Sequence, residues 1–426
     1  MRKLIARFDM RHTALAEITK TQIALFAALC LSSFLVLSHD AQSSPSINWM
    51  NIWQVSDFKT PAELLTYLRD LRTGVSPVLS MLEIFVFQWT GSIHWVTLEG
   101  YQGALILAFW LPIALFAKSP LGVLFSELVA LTFLEATLAI HPGNPQSYDV
   151  FFPVLVLLFL FCYKLSTDIR IRSDRLAIAS AFFAGCFLSI AELSRPFFIF
   201  ALFVVVPAAY FGFSRLNRKA FWVFILPVVI FSGGWHLKLL LNYGQLVWSN
   251  HSGCNLSRAW VVIPPPQLLP EAPPLNEGGW DNLNTQIHYE NCLTIQNAVV
   301  KDMLARPDAI PPFIVTQLEI FFYPQVAIYD RHPQNWIFPY YSFLVRVSAF
   351  LLLAGFVLLC VRLCQGKANF RSPQSILFLI TILSTIALCF GEAGEEARLI
   401  ISVLPFFVFL PQYVSSLVTV RSYSIA

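Results

Sequence analysis

Ten stretches of this chain are each long enough to cross a bilayer and carry almost no charge. They fall at about 21–38, 98–117, 121–140, 150–165, 176–194, 196–213, 220–240, 338–361, 375–391 and 399–415. A spanning helix needs about 20 mostly apolar residues, because a rise of about 1.5 Å per residue has to cover about 30 Å of hydrocarbon. Within that hydrocarbon every backbone N–H and C=O must be satisfied inside the segment, which an α-helix achieves and an isolated strand does not. Of 426 residues, 57% are hydrophobic and 12% charged, where a soluble domain carries about 25% charged. The expected fold is therefore an all-α polytopic membrane protein with about ten transmembrane helices.

Charge in the connecting loops alternates. With the N-terminus inside, 17 of the 28 Lys and Arg fall on the cytoplasmic side, beginning with Arg2, Lys3, Arg7, Arg11 and Lys20. Nine lie in the far longer loops opposite, and two lie within spans. Short basic loops remain cytoplasmic, so both termini are expected there and the large loops outside. The acids lean the other way, with 19 of 25 outside in this topology. The basic residues lie in short clusters between apolar runs rather than on one face, so no nucleic-acid partner is expected. The basic N-terminus ahead of 21–38 is laid out like a signal peptide. Its long apolar run and lack of a small-x-small cleavage site make it a retained first span.

The chain divides into an N-terminal transmembrane module (1–240, seven spans) with an outer loop at 39–97, a large outer loop (241–335), and a C-terminal module (336–426, three spans). In the first loop, Thr60-Pro61-Ala62-Glu63 forms a capping box with proline at the first helical position. Leu64, Leu65, Leu68 and Leu71 then share a face, and a second start at Ser76-Pro77 leads into Leu79, Leu82, Phe85 and Val86. Two amphipathic surface helices follow from that pattern. In the second loop, Pro264 to Pro274 reads as extended polyproline II. A helix over about 285–306 stops before Pro307, and an aromatic belt runs from Phe321 to Tyr341. Cys254 and Cys292 are the two cysteines of this loop; they can pair in an oxidising compartment, and their spacing alone does not decide it. The halves of the chain show no internal repeat, against the inverted-repeat plan of many transporters.

Few residues here carry chemistry. Asp40, just outside the first span, and Asp57, ahead of the capping box, read either as solvated loop acids or as a general base at the membrane surface. Asp149 reads as a cap on the fourth span, favoured by the helix dipole, or as the second carboxylate of a shared site. Arg195 and Arg398 are lone bases at outer span ends with acids nearby. Each is either half of a structural salt bridge or a bidentate phosphate ligand. Lys238 and Arg346, read as lying near span ends, are expected to snorkel. Glu127 and Glu135 stand eight residues apart in one span, where an acid faces a cavity or a partner and would suit transport. No zinc-type His/Cys spacing, nucleophile elbow or phosphate-cradling glycine loop is present.

Several motifs together resemble the GT-C superfamily of membrane glycosyltransferases, and are similar to bacterial proteins of the dolichyl-phosphate-mannose protein mannosyltransferase type. They are Asp40 or Asp57, then Pro61-Ala-Glu-Leu-Leu-Thr-Tyr-Leu-Arg-Asp-Leu71 with Gly74-Val-Ser-Pro77, and Tyr148-Asp149. Ser194-Arg195-Pro196 follows, then Asn242-Tyr-Gly244 with Asn255-Leu256, and Glu396-Ala-Arg398 leading to Leu404-Pro405. The acid pair that many relatives carry after the first span is missing, and Trp49-Met-Asn-Ile-Trp53 stands in its region. The resemblance implies inverting transfer of a sugar from a polyprenyl-phosphate donor to a lipid, glycan or protein acceptor on the outer face of a bacterial inner membrane. Asp40 or Asp57 would be the base and Asp149 a supporting acid or a metal contact. Arg195 and Arg398 would hold the donor phosphate, and a divalent metal ion is the one cofactor the resemblance admits. Two other readings stand beside it: a transporter or lipid flippase using Glu127 and Glu135, and a non-catalytic membrane subunit on the same scaffold.

Overall fold

The computed structural model describes residues 20–37, 89, 100–140, 147–167, 174–214, 218–244, 256–257, 260, 286–322, 336–367, 370–391 and 400–418. These residues are almost entirely helical, with no strand among them. Helices α1 (Lys20–Leu37), α2 (Gly100–Phe116), α3 (Pro120–Ile140), α4 (Ser147–Thr167) and α5 (Asp174–Ser194) come first. A 3-10 turn, Pro196–Phe198, leads to α6 (Ile199–Ser214). Helix α7 (Arg218–Pro227) passes through a π-helical segment, Val228–Gly233, into α8 (Gly234–Tyr243). Beyond lie α9 (Gln286–Ala305), a 3-10 turn at Pro307–Ala309, and α10 (Ile310–Phe322). The C-terminal part comprises α11 (Ile337–Cys364), α12 (Pro373–Gly391), a 3-10 turn at Ile400–Ser402, α13 (Leu404–Phe407) and α14 (Leu410–Val418).

Seven helical stretches are long and apolar enough to cross a membrane: Lys20–Leu37, Pro120–Ala139, Asp149–Thr167, Asp174–Ser194, Arg218–Leu241, Ile337–Cys364 and Pro373–Phe390. The other three expected segments coincide with shorter apolar helices, Gln102–Phe116, Ile199–Phe213 and Leu404–Val418. The outer surface agrees with a lipid environment. On α11 alone, Phe343, Phe350 and Leu353 are each more than 60% exposed. A soluble protein does not leave such a stripe to water, whereas lipid tails cover it at no cost. The two surface helices expected in the first outer loop lie outside the described residues.

Helix α4 is the hub. It packs along α2 and α5, and α5 in turn packs along α7. The Phe152 ring of α4 meets Phe198 at 5.1 Å, Phe197 at 5.7 Å and Phe406 at 6.2 Å, tying the early spans to the C-terminal segment. Close approach depends on small residues. A Cβ added at Gly185 would overlap the carbonyl oxygen of Phe224, so α5 and α7 cross in backbone contact.

Side chains from helix ends fix the order of the bundle. Lys164 Nζ donates to the Leu115 carbonyl at 3.0 Å, Tyr163 Oη to the Arg371 carbonyl at 3.0 Å, and Arg362 Nε to the Leu417 carbonyl at 3.0 Å. The C-termini of α2, α4, α11 and α14 therefore share one end of the bundle. The first turn of α4, the end of α5 and the Ile400–Ser402 turn share the other. Helices α4 and α5, consecutive in the chain, therefore run antiparallel, while α2 and α4, and α11 and α14, pack side by side in the same direction.

A second, smaller core, built from Trp260, Cys292, Ile295, Val299 and Phe313, adjoins the main one at Phe390. Cys292 is disulfide-bonded, while the six other described cysteines are free. Cys254 lies outside the described residues. The Trp260 indole donates to Asp302 Oδ2 at 2.6 Å, and the Arg306 guanidinium pairs with the same carboxylate while lying 5.5 Å from the Trp260 ring centroid. The hydrogen bonds from Arg306 and then Trp260 hold the Asp302 carboxyl below its ordinary range. Helix α9 ends ahead of Pro307 as the sequence requires. The chain then re-enters a helix, α10, in a region the sequence reading left as a connection to the aromatic belt. Pro311 and Pro312 sit in its first turn, where no intrahelical N–H is needed.

Candidate functional site

Two buried polar clusters meet on the last turn of α5. Pro196 cannot continue the helix and disfavours a helical residue before it, so α5 ends at Ser194 and Arg195 turns inward. The Arg195 backbone N–H is shared between the carbonyls of Ala191 and Glu192, both at 3.2 Å. Its guanidinium forms an ion pair with Asp149, which sits in the first turn of α4 where the helix dipole favours an anion. Both side chains are buried. Ser402 bridges them: its hydroxyl accepts from Arg195 Nη2 at 3.2 Å and donates to Asp149 Oδ1 at 3.1 Å.

One helical turn earlier on the same face, Glu192 receives the Ser232 hydroxyl at Oε2, 2.6 Å away, and faces His236 Nε2 from Oε1 at 2.7 Å. Ser232 belongs to the π segment that follows Pro227, and His236 to α8. Such π segments concentrate at functional sites because the extra residue per turn re-aims side chains. Here Ser232 and His236 straddle the π–α junction and both reach one carboxylate. Residues 192–195 thus join α4, the Ile400–Ser402 turn, the π segment and α8 through side-chain bonds alone.

Of the residues singled out in the sequence, Asp149 and Arg195 are brought together. Asp40, Asp57 and Arg398 lie outside the described residues. For Arg195 the ion pair is the interaction present, and for Asp149 the helix-start position and the pairing occur at once. Glu192, in the last turn of α5, is 1% exposed. Neither Ser232 nor His236 drew notice, although a histidine inside an apolar run is the kind of intramembrane ionisable residue that signals a partner. Arg346 departs from expectation as well. It is well inside α11, with Nε buried, rather than at a span end. Lys238 Nζ lies 4.9 Å from the Trp235 ring centroid.

Away from this end, Glu127 of α3 is buried and accepts the Ser32 hydroxyl of α1 at 2.9 Å. Glu135 is half-buried. Among the described residues no group of three or more His, Cys, Asp and Glu is placed to hold a metal ion. No protein-family model matches this chain, and neither curated proteins nor solved structures yield a match.

Proposed function

We propose that this protein is a membrane glycosyltransferase of the GT-C type, moving a sugar from a polyprenyl-phosphate donor to an acceptor at the outer face, with inversion. In this reading the seven long and three shorter apolar helices make ten spans, with both termini cytoplasmic in a bacterial inner membrane. The observation that carries the proposal is the concentration of buried carboxylate, guanidinium, imidazole and hydroxyl groups at one end of an otherwise apolar bundle. Buried polar groups of this kind are expensive in a membrane protein and belong to function or to the positioning of function. The disulfide at Cys292 supports an oxidising environment for that side.

The roles follow from the chemistry. Asp40 or Asp57 takes the proton of the acceptor hydroxyl as it attacks the anomeric carbon, and the bond from that carbon to the phosphate oxygen breaks. The departing polyprenyl phosphate carries the charge that Arg398 and Arg195 meet. Asp149 acts through Arg195, fixing the guanidinium with Ser402, and is a positioning residue. Among the described residues none forms a donor set for a metal, and Asp149 is engaged by Arg195.

The test is transfer of labelled sugar from a panel of polyprenyl-phosphate sugars by protein reconstituted in liposomes. Asp40→Asn or Asp57→Asn should lower the rate by about 10²-fold or more, the range of a lost general base. A wild type inert across the panel, or two variants with undiminished transfer, would overturn the reading. Glu127 gives one specific observation to a second reading, a transporter or lipid flippase, because it is a buried carboxylate between two spans. Lipid scrambling or solute uptake lost on Glu127→Gln and unaffected by Asp40→Asn and Asp57→Asn would favour it.

A further inference from the structure

Helix α10 belongs to a stretch, 241–335, that the charge pattern assigns to water outside the membrane. Its surface does not suit water. Phe313, Gln317 and Phe321, spaced four apart, form its buried face. At 100° per residue, Ile314, Leu318, Pro311 and Val315 form an apolar flank beside that face, with Ile314 40%, Val315 52% and Leu318 38% exposed. Glu319 stands opposite the buried face, where it borders that flank, and is exposed. A helix that shows an exposed apolar flank beside its buried face is poorly placed in water, and the flank requires a cover.

What covers it follows from where the helix lies. Phe313 stacks near Phe390, in the last turn of α12, with ring centroids 5.8 Å apart. Phe321, about 12 Å further along the axis, is buried in the core of the bundle itself. The helix packs on α11 and α12 and so runs along the rim of the membrane domain. Beside it, α11 begins with exposed Trp336 and Tyr340, the aromatic pair expected where a span enters the interface. The outward face of α10 is thus continuous with the lipid-facing surface of α11, and its carboxylate edge suits the headgroup layer.

We infer that α10 lies in the outer leaflet, with the Ile314, Val315 and Leu318 face among lipid acyl chains, so that the second outer loop is anchored to the membrane at its middle. Interfacial helices bury such a face about 5–10 Å below the headgroup boundary. The inference does not depend on what the protein catalyses.

The experiment uses the full chain in nanodiscs of phosphatidylethanolamine and phosphatidylglycerol. With the six free cysteines replaced by alanine, nitroxide labels are placed by Val315→Cys, Leu318→Cys and, as an aqueous control on α9, Lys301→Cys. Labels at 315 and 318 should be relaxed more by oxygen than by a water-soluble nickel complex, with the order reversed at 301. Nickel access at 315 and 318 equal to that at 301 would overturn the inference, as would protection from both reagents, which marks a protein cover. In a second measurement that keeps the native cysteines, p-benzoylphenylalanine in place of Val315 should give phospholipid adducts on irradiation. Adducts to another polypeptide or to a second copy, or no lipid adduct, would count against it.

Discussion

Asp149, Arg195 and Ser402 permit a quantitative test of the bundle's polar end. Replacing Asp149 by asparagine keeps the shape and leaves the guanidinium of Arg195 buried without its counter-charge. Breaking a buried pair from one side costs about 3–5 kcal/mol, whereas an exposed pair is worth about 0–1 kcal/mol. Both side chains are at most 4% exposed, so the larger figure applies. Arg195→Met leaves the opposite charge uncompensated and should cost a similar amount. The double variant, Asp149→Asn with Arg195→Met, removes both charges together and should cost less than either single change, because neither charge is left buried without its partner. Reversible unfolding in mixed micelles gives the three values and a coupling energy of about 3 kcal/mol or more. Raising the salt from 0.05 to 1 M should leave the coupling unchanged, since screening acts on exposed charges. Single variants that each cost under about 1 kcal/mol and combine additively would refute the argument, because the pair would then behave as a solvated one.

Other outcomes follow from the packing. Glu192→Ala removes the acceptor of Ser232 and the partner of His236, and should cost about 2–6 kcal/mol in the same unfolding assay, at about 1–3 kcal/mol for each buried group left unsatisfied. Gly185→Ala drives a methyl into the Phe224 carbonyl and should destabilise by about 1–3 kcal/mol or more, while Gly103→Ala meets nothing within 4 Å and should be neutral or gain up to about 1 kcal/mol. The Asp302 carboxyl titrates lower in the folded protein than in the unfolded chain. Its contribution is therefore full at neutral pH and lost as the pH falls below the ordinary carboxylate value of 3.8. Hydrogen exchange at the α9–α10 junction, corrected for intrinsic rates, should accelerate over that range in wild type and lose the pH dependence in Asp302→Asn.

Much of the fold was legible because hydrocarbon permits few solutions. Each of the ten apolar runs coincides with a helix, and α9 ends where Pro307 demands. The departures have local causes. The run at 196–213 starts late because Pro196 opens a 3-10 turn, and the run at 399–415 is broken by the Ile400–Ser402 turn ahead of α13. Helix α10 escaped notice because Pro311-Pro312 looks like loop, although proline is at home in a first turn. The candidate site was legible only as single letters. Asp149 and Arg195 stood out one by one, but the bridging Ser402 is 253 residues from Asp149, and His236 is 44 from Glu192. No local pattern announces a partner at such separations; the antiparallel packing of α4 and α5 creates the pairing.

Lys164 and Arg362 belong to the basic clusters expected on the cytoplasmic side, and in the folded bundle their side chains close the open carbonyl ends of α2 and α14. One atom group thus serves two selections made at different times, first during insertion and then for as long as the bundle lasts. A lineage in which either base drifted to another loop would weaken its sidedness and expose a helix end in the same step. Moving either base elsewhere would therefore also uncover a helix end, a cost that a loop lysine merely hanging in water does not carry.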